Sequence, residues 1–304
     1  MPGQLTLLDA PSLWYRAFHG VPSSVVAPDG SPTGCVRGFL DNVARIVRDT
    51  RPARMAACLD LDWRPQFRVD AVPSYKLHRT VAGGAEDEPP TLGPQVEVLL
   101  QVLDALGFAV VGVEGYEADD VIGTLATRGS GAVDVVTGDR DLLQLVDDSR
   151  PVRVLYTVEK LRPYDEAAVR AKYGIPGRGY AELAVLRGDP SDGLPGVKGV
   201  GEKTAAALVS RFGDVDGILA ALDRGDVDGF PAGARAKLEA AREYLAVAPA
   251  VTRVVRDLPV PELDDALPRA PRDPQRLVEL SDRWGLDAPL DRVLAAFEAA
   301  ASSE

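Results

Sequence analysis

Short apolar runs alternate along the first half of the chain with stretches of helical period. Residues 5–8 are an apolar run that ends in Asp9, and residues 13–19 follow Pro11 and Ser12 as a helix. Over 33–49, Val36, Phe39, Leu40, Val43, Ile46 and Val47 recur at helical spacing. Residues 55–59 form a second strand, followed by Asp60, Leu61 and Asp62. A periodic helix over 92–106 leads to a third strand over 108–113. Ala118, Val121, Ile122 and Leu125 then mark a helix, and 133–137 and 152–156 are further strands. Strands alternating with helices predict an α/β fold with a mostly parallel central sheet flanked by helices. From about Tyr164 the pattern is helices and turns, with helices over 214–222, 233–246, 274–284 and 290–300. We therefore expect an α/β domain over 1–163 and a helical region over 164–304. No internal repeat is visible, and the last helices read as packing elements without chemistry of their own.

The chemistry concentrates in EGYEADDVIGTLATRGSGAVDVVTGDRDLLQL, residues 114–145. Glu117 and Asp120 lie roughly 60° apart around the helix, with Asp119 about 100° beyond Asp120, so all three fan from one helix end. Asp139 and Asp141 follow a strand, where open α/β sheets hold their ligands. Either cluster alone is ordinary helix-start chemistry. Together they place five acids at one cleft, where each pair at about 4 Å repels by roughly 4 kcal/mol at an effective dielectric of about 20. Such a group calls for cations, and oxygen donors without His or Cys suit Mg²⁺ or Mn²⁺.

Composition narrows the setting. Hydrophobic residues make up 46% and charged residues 26% of the 304 positions, as in an ordinary globular protein able to bury a large core. No basic leader and no apolar run long enough to span a bilayer is seen, so the expectation is a cytoplasmic protein without membrane association. Cys35 and Cys58 have neither metal nor disulfide spacing and read as core residues. His19 and His78 are too few and too far apart for zinc. A net charge of −12 argues against wrapping nucleic acid by bulk charge, so any phosphate binding must fall to local basic patches.

Two such patches are visible. The segment 63–90 lacks a core pattern, and its first half carries Arg64, Arg68, Tyr75, Lys76, His78 and Arg79, followed by Gly83, Gly84 and an acidic stretch. Basic residues interleaved with an aromatic suit a phosphate backbone with one stacked base, although Tyr75 reads equally as core. The second patch is RGDPSDGLPGVKGVGEKTAAALV, residues 187–209. Asp189 and Asp192 form a third acidic pair. Gly196, Gly199 and Gly201 let backbone amides approach phosphates beside Lys198, Lys203 and Thr204. It is not a Walker A loop, because Glu202 separates Gly201 from Lys203, and no strand precedes it as a dinucleotide fingerprint requires. A helix, glycine turn and helix gripping one phosphate backbone without reading sequence is the better match.

Taken in order, LLDAPSLWYRAFHG (7–20), DWRPQFR and SYKLHR (62–79), GYEADDVIGTLA (115–126), VVTGDRDLLQLV (135–146) and GDPSDGLPGVKGVGEKTA (188–205) resemble the bacterial 5′ nuclease family. That family comprises the N-terminal domain of DNA polymerase I and its stand-alone flap endonuclease relatives, and the likeness covers nearly the whole chain. It implies a PIN-like sheet domain, a helical arch over about 63–90 and a helix-three-turn-helix over about 183–212. It also implies a metal-binding set of Asp9, Asp60, Glu117, Asp119, Asp120, Asp139, Asp141, Asp189 and Asp192 holding two or more Mg²⁺ or Mn²⁺ ions. Asp120, Asp139 and Asp141 are expected nearest the ions. Lys76 and Arg79 are expected to face the scissile phosphate. Arg16, Arg68, Tyr75, Lys198, Gly199, Gly201, Lys203 and Thr204 are expected to meet DNA, with a monovalent cation such as K⁺ at the glycine turn. The stretch after residue 60 is one residue longer than the family spacing, which leaves Asp60 and Asp62 as alternatives, with Asp60 preferred because it follows the strand. The acidic run 86–88 stands where the arch of relatives is more basic.

The activity so implied is two-metal hydrolysis of DNA phosphodiesters, exonucleolytic from the 5′ end and endonucleolytic at 5′ flaps, in primer removal and repair. The expected partners are flapped, nicked or junction DNA and RNA–DNA, acted on by a monomeric stand-alone enzyme. Two rivals are a non-catalytic junction binder keeping the fold and a small-molecule phosphotransferase of the acidic-cleft type. The filled acidic clusters oppose the first, and the glycine turn with its two lysines opposes the second.

Overall fold

A computed structural model describes residues 3–82 and 84–302; Gly83 lies outside the described residues. Six strands, β1 (Leu5–Asp9), β2 (Arg54–Cys58), β3 (Ala109–Val111), β4 (Val133–Thr137), β5 (Val152–Tyr156) and β6 (Arg162–Tyr164), form one sheet in the order β3-β2-β1-β4-β5-β6. All neighbours are parallel except β5 and β6. Strand order reverses between β1 and β4, and the crevice beyond the carboxyl ends at such a switch point is where ligands sit in open α/β sheets. Antiparallel β6 was not foreseen in the sequence, being three residues long with Pro163 at its centre.

Burial on both sheet faces explains the unbroken apolar runs. Leu7, Cys58, Val135 and Val154 point to one side, and Leu8, Ala57, Val136 and Leu155 to the other. On the second side lie α1 (Ala10–Gly20) and α2 (Gly34–Thr50). Next in the chain come a six-residue helix α3 (Gln66–Ala71), then α4 (Leu92–Leu106) on the same side as α2, and α5 (Ala118–Arg128) on the first side. The helical region runs through α6 (Glu166–Tyr173), α7 (Tyr180–Arg187), α8 (Glu202–Phe212), α9 (Val215–Asp223), α10 (Ala234–Ala240), α11 (Arg242–Val247) and α12 (Pro249–Thr252). Its buried side chains are continuous with the α5 face of the sheet.

Two expectations need correction. The helices α13 (Pro274–Trp284) and α14 (Asp287–Ala301) do not belong with the helical region. Leu277, Leu280, Leu290, Val293 and Phe297 return to the opposite sheet face and pack with α2 and α4. The amphipathic stripe announces a buried face without saying against what. Among the described residues the segment 63–90 holds, in place of the expected helical arch, α3, one 3₁₀ turn over Leu77–Arg79 and a bridge pairing Thr80 with Glu86. Prolines at 65, 73, 89 and 90 interrupt any longer helix. Buried Arg68, Val72 and Tyr75 tie the segment down onto the core.

Candidate nuclease cleft

Asp9 ends β1 and caps α1, its carboxylate accepting from the Ser12 backbone N–H at 3.2 Å and from Thr137 Oγ1 at 2.5 Å. An apolar strand running straight into a helix makes this N-cap, and it buries the acid at the switch point. Asp60 follows β2 and accepts from the Ala118 N–H at the start of α5, 2.6 Å away. Asp62 instead turns back to the Arg64 N–H in its own loop. Asp139 follows β4 and accepts from the Asp141 N–H at 2.8 Å. Asp9, Asp60, Asp119 and Asp139 line one cleft of about 230 Å³ with Lys76 and Arg79.

The helix end carrying three acids is split by its own capping box. Glu117 caps α5 and Asp120 reaches back to the Glu117 N–H. Asp120 is fully buried (0% exposed), held by Arg68 through two hydrogen bonds of 2.7 and 2.8 Å, and it accepts from the Val255 N–H at 2.8 Å. The expectation that Asp120 lies nearest the ions is therefore corrected: its lone pairs are committed on the far side, and Asp119 is the acid facing the cleft. Arg68 is likewise no DNA contact, being 2% exposed and paired with Glu117 and Asp120. Tyr75 is buried too, its hydroxyl donating to Glu117 at 2.8 Å, so it stacks no base. Glu117 lines the cleft but serves Arg68, Tyr75 and Lys76 at once.

Lys76 and Arg79 reach the cleft because the loop of the third acidic pair docks onto their turn. The Lys76 N–H donates to the Asp192 carbonyl at 2.9 Å, Ser74 Oγ to the Gly193 carbonyl at 2.7 Å, and Arg79 to the Ser191 carbonyl at 2.7 Å. Arg79 also meets Asp192 at 3.3 Å. Burial works most strongly against the charge of Lys76, but Glu117, Tyr75, Asp192 and Asp60 together outweigh it and hold the ammonium protonated. Asp189 is turned inward, bound by the Ser191 N–H and hydroxyl and faced by Arg187.

The carboxylates bear the electrostatic mark of crowding. Burial, then the charges of Asp60 and Asp139, pushes Asp9 up to about 7. Burial also raises Asp60 to about 6, with Glu117 adding to it, and Asp192 to about 6, with Asp139 adding to it. Asp119 and Asp141 are driven well above the ordinary carboxylate range by burial and by neighbouring aspartates. Among the described residues the acids ring the cleft, and no three converge on one point. Their donor chemistry nevertheless fits a hard divalent cation: carboxylate oxygens alone, repelling one another, with no His or Cys beside them at the mouth.

A pH dependence follows. The folded protein keeps protons on Asp9, Asp60 and Asp192 that an unfolded chain, with carboxyls near 3.8, releases. Their contribution to stability is whole below that value and is lost as pH rises through about 6 to 7. Melting in a chelator against melting in Mg²⁺ should therefore show a gap that widens between about pH 5 and about pH 8. A gap of equal size at both ends contradicts the crowding.

The glycine turn is built on two buried valines, Val197 and Val200, which leave Lys198, Gly199 and Gly201 exposed ahead of α8, with Lys203 exposed and Thr204 half-buried in its first turn. Lys237, absent from the sequence expectations, donates to the Gly199 carbonyl at 2.8 Å and adds a third cation to the turn. Arg16 is exposed near Gly138 at the cleft rim. Tyr15, Trp63 and Glu86 also line the cleft, and of these only Glu86 figures in the sequence expectations, within the acidic run 86–88 and without a place in the site. The spacing Ser12–Tyr15 after the Asp9 cap was a usable signal, since it repeats one face of α1. Trp63 and Glu86 carry none, because only the folded-back loop brings them in.

Comparison with known proteins agrees with this architecture. Residues 4–174 match a family described as 5′-3′ exonuclease, N-terminal resolvase-like domain, and residues 175–275 match 5′-3′ exonuclease, C-terminal SAM fold. A 5′-3′ exonuclease of Streptomyces coelicolor is 57% identical over 301 residues, covering 96% of this chain and 100% of that one. DNA polymerase I of Mycobacterium tuberculosis is 37% identical over 309 residues, covering 99% of this chain and 32% of the polymerase. In fold, the chain is similar to the T5 D15 protein co-crystallised with metal ions, at a TM-score of 0.63 and 17% identity over 98% of both chains.

Proposed function

The chain belongs to the 5′-3′ exonuclease family, and on that premise we propose that it is a structure-specific 5′ nuclease cutting DNA at flaps, nicks and duplex–single-strand junctions. The observation that carries this is the switch-point cleft, where Asp9, Asp60, Asp119 and Asp139 face Lys76 and Arg79. As a metal-dependent hydrolase it would hold divalent cations, Mg²⁺ or Mn²⁺, on those four aspartates, with Asp141 and Asp192 on the helical-region side. The chemistry a bound pair of such cations supplies is a water of lowered pKa and charge compensation at the leaving 3′ oxygen.

The protein's own groups do the rest. Lys76 and Arg79 lie across the cleft from the acids and offset charge on the scissile phosphate. Glu117 orients Lys76, and Asp192 orients Arg79. The turn with Lys198, Lys203 and Lys237 holds one duplex backbone, its exposed glycine amides and the α8 N-terminus meeting phosphate oxygens. A K⁺ ion there would compete with the Lys237 ammonium, which the Gly199 carbonyl already accepts. Arg16 contacts the strand entering at the rim. We place the protein in the cytoplasm as a monomer serving primer removal and repair; no helix among the described residues is long and apolar enough to cross a membrane.

The test is incubation with a 5′-flap duplex in Mg²⁺, Mn²⁺ or chelator. Cleavage at the junction leaving 5′-phosphate ends, abolished by chelator, is expected. A gel shift without cutting would establish a junction binder, and turnover of a small phosphomonoester without duplex binding a phosphotransferase.

Gly193 offers a second check. At φ +72° it sits against Ser74, whose carbonyl oxygen would lie 2.1 Å from an added Cβ. Gly193→Ala should lift the loop of Asp192 off the Lys76 turn and slow single-turnover cleavage about 10- to 100-fold, with duplex affinity unchanged. Unaltered cleavage would show that this docking does not set the position of Lys76.

A further inference from the structure

A second cavity, of about 350 Å³, lies at the opposite end of the sheet, where α5 ends and β5 begins. Its wall includes Arg150, Arg178 and Arg256, and among the described residues none of the three has a carboxylate within ion-pair distance. Elsewhere in this acidic protein buried Arg68 is neutralised by Glu117 and Asp120, half-buried Arg253 by Glu182 and exposed Arg153 by Asp134, whereas the three arginines at this cavity are exposed at its wall. Arg150 and Arg256 are anchored to backbone carbonyls but left charged. Arg150 donates to the Thr127 carbonyl, and Arg256 to the Gln144 carbonyl at 3.0 Å. Burial, and after it the nearby charge of Arg150, lowers the pKa of Arg256, and Asp147 offsets only part of this.

The acids of the cavity accept from backbone and hydroxyl donors, and none forms an ion pair with Arg150, Arg178 or Arg256. Asp147 accepts from the Ser149 N–H and hydroxyl, and Asp148 from the Glu166 N–H. Glu166 accepts from the Gly177 N–H and is covered by Arg170 at 3.4 Å. The cavity adjoins a trough that shares Arg178 and Arg256, so a ligand can enter from the side.

We propose that this cavity is a phosphate site in which Arg150, Arg178 and Arg256 bind the oxygens of one phosphoryl group, carried either by a small phosphomonoester or by a nucleic-acid strand. Guanidinium forks match phosphate oxygens bidentately, and the charge of a phosphate, near two in a monoester and one in a strand, offsets the repulsion among three cations. The site stands apart from the aspartate cleft and does not depend on its nuclease reading.

The test is calorimetric titration of the full chain, in chelator, with inorganic phosphate and with deoxyadenosine 5′-monophosphate. A parallel duplex-binding series runs over a range of salt. Wild type, Arg178→Gln and Arg178→Gln/Arg256→Gln are compared, with Lys76→Ala/Arg79→Ala reporting on phosphate held in the cleft. Affinity for either small phosphate about tenfold weaker in the double variant, and unchanged in the cleft variant, establishes the site with a free phosphate as its ligand. Unchanged small-phosphate binding with weaker duplex binding and a salt slope lower by about 1 assigns it to a strand. If neither moves, the proposal is overturned. Should the double variant unfold, exposed and unpartnered Arg178 decides alone, with about threefold weakening expected and none overturning the proposal.

Discussion

Replacing Asp119 or Asp139 by asparagine should lower the single-turnover cleavage rate by roughly 10³-fold or more while duplex binding persists. Both acids line the cleft opposite Lys76 and Arg79. Asparagine keeps the size and one acceptor oxygen, so the Asp139 contact with the Asp141 N–H can survive. What disappears is a negative charge, on which a divalent cation depends and which repels the phosphate backbone. Rate should therefore fall while DNA affinity holds or rises. Asp120→Asn supplies the contrast, because this carboxylate is shut away behind α5 and engaged by Arg68. It should lower the melting temperature and leave the rate of the folded fraction within about tenfold of wild type. Wild-type turnover by Asp139→Asn, or a thousandfold loss in fully folded Asp120→Asn, would reverse the assignment.

That contrast marks where the amino-acid pattern stops being informative. The sheet was legible because its strands are buried on both faces and read as unbroken apolar runs. Asp9 at the end of β1, and Asp60 and Asp139 just beyond β2 and β4, were legible because a cleft at the carboxyl ends needs residues there. Helical phase puts Glu117, Asp119 and Asp120 on a fan but cannot say which blade meets the cleft. The choice is made by Arg68, 52 residues earlier, whose fork takes Asp120. Nothing local to α5 signals it. Tyr75 and Arg68 read as DNA contacts for the same reason: basic and aromatic residues in a loop without a core pattern look solvated until a buried carboxylate pairs with them. The Glu117–Asp120 spacing does match a capping box, which alone hinted that these two acids cap each other.

Arg68 should accordingly be the most costly single position for stability. It joins α3 to both capping acids of α5 and donates to the Val251 carbonyl of α12 at 3.0 Å, so one side chain ties loop, sheet domain and helical region together. Breaking a buried ion pair from one side costs about 3 to 5 kcal/mol, because the remaining charge has no partner. For a chain of this size that corresponds to a melting temperature lower by roughly 5 to 8 °C. Glu117 retains Lys76 and Tyr75, whereas Asp120 keeps only backbone donors, so the penalty falls mainly on Asp120. Arg68→Met/Asp120→Asn should then melt above the temperature that adding the two single losses requires, since the second change removes the stranded charge. Lysine at 68 should not restore wild-type melting, as a single ammonium cannot span both Asp120 oxygens. Strict additivity, or an Arg68→Met protein melting within about 1 °C of wild type, would mean that the triad is held by packing and not by charge.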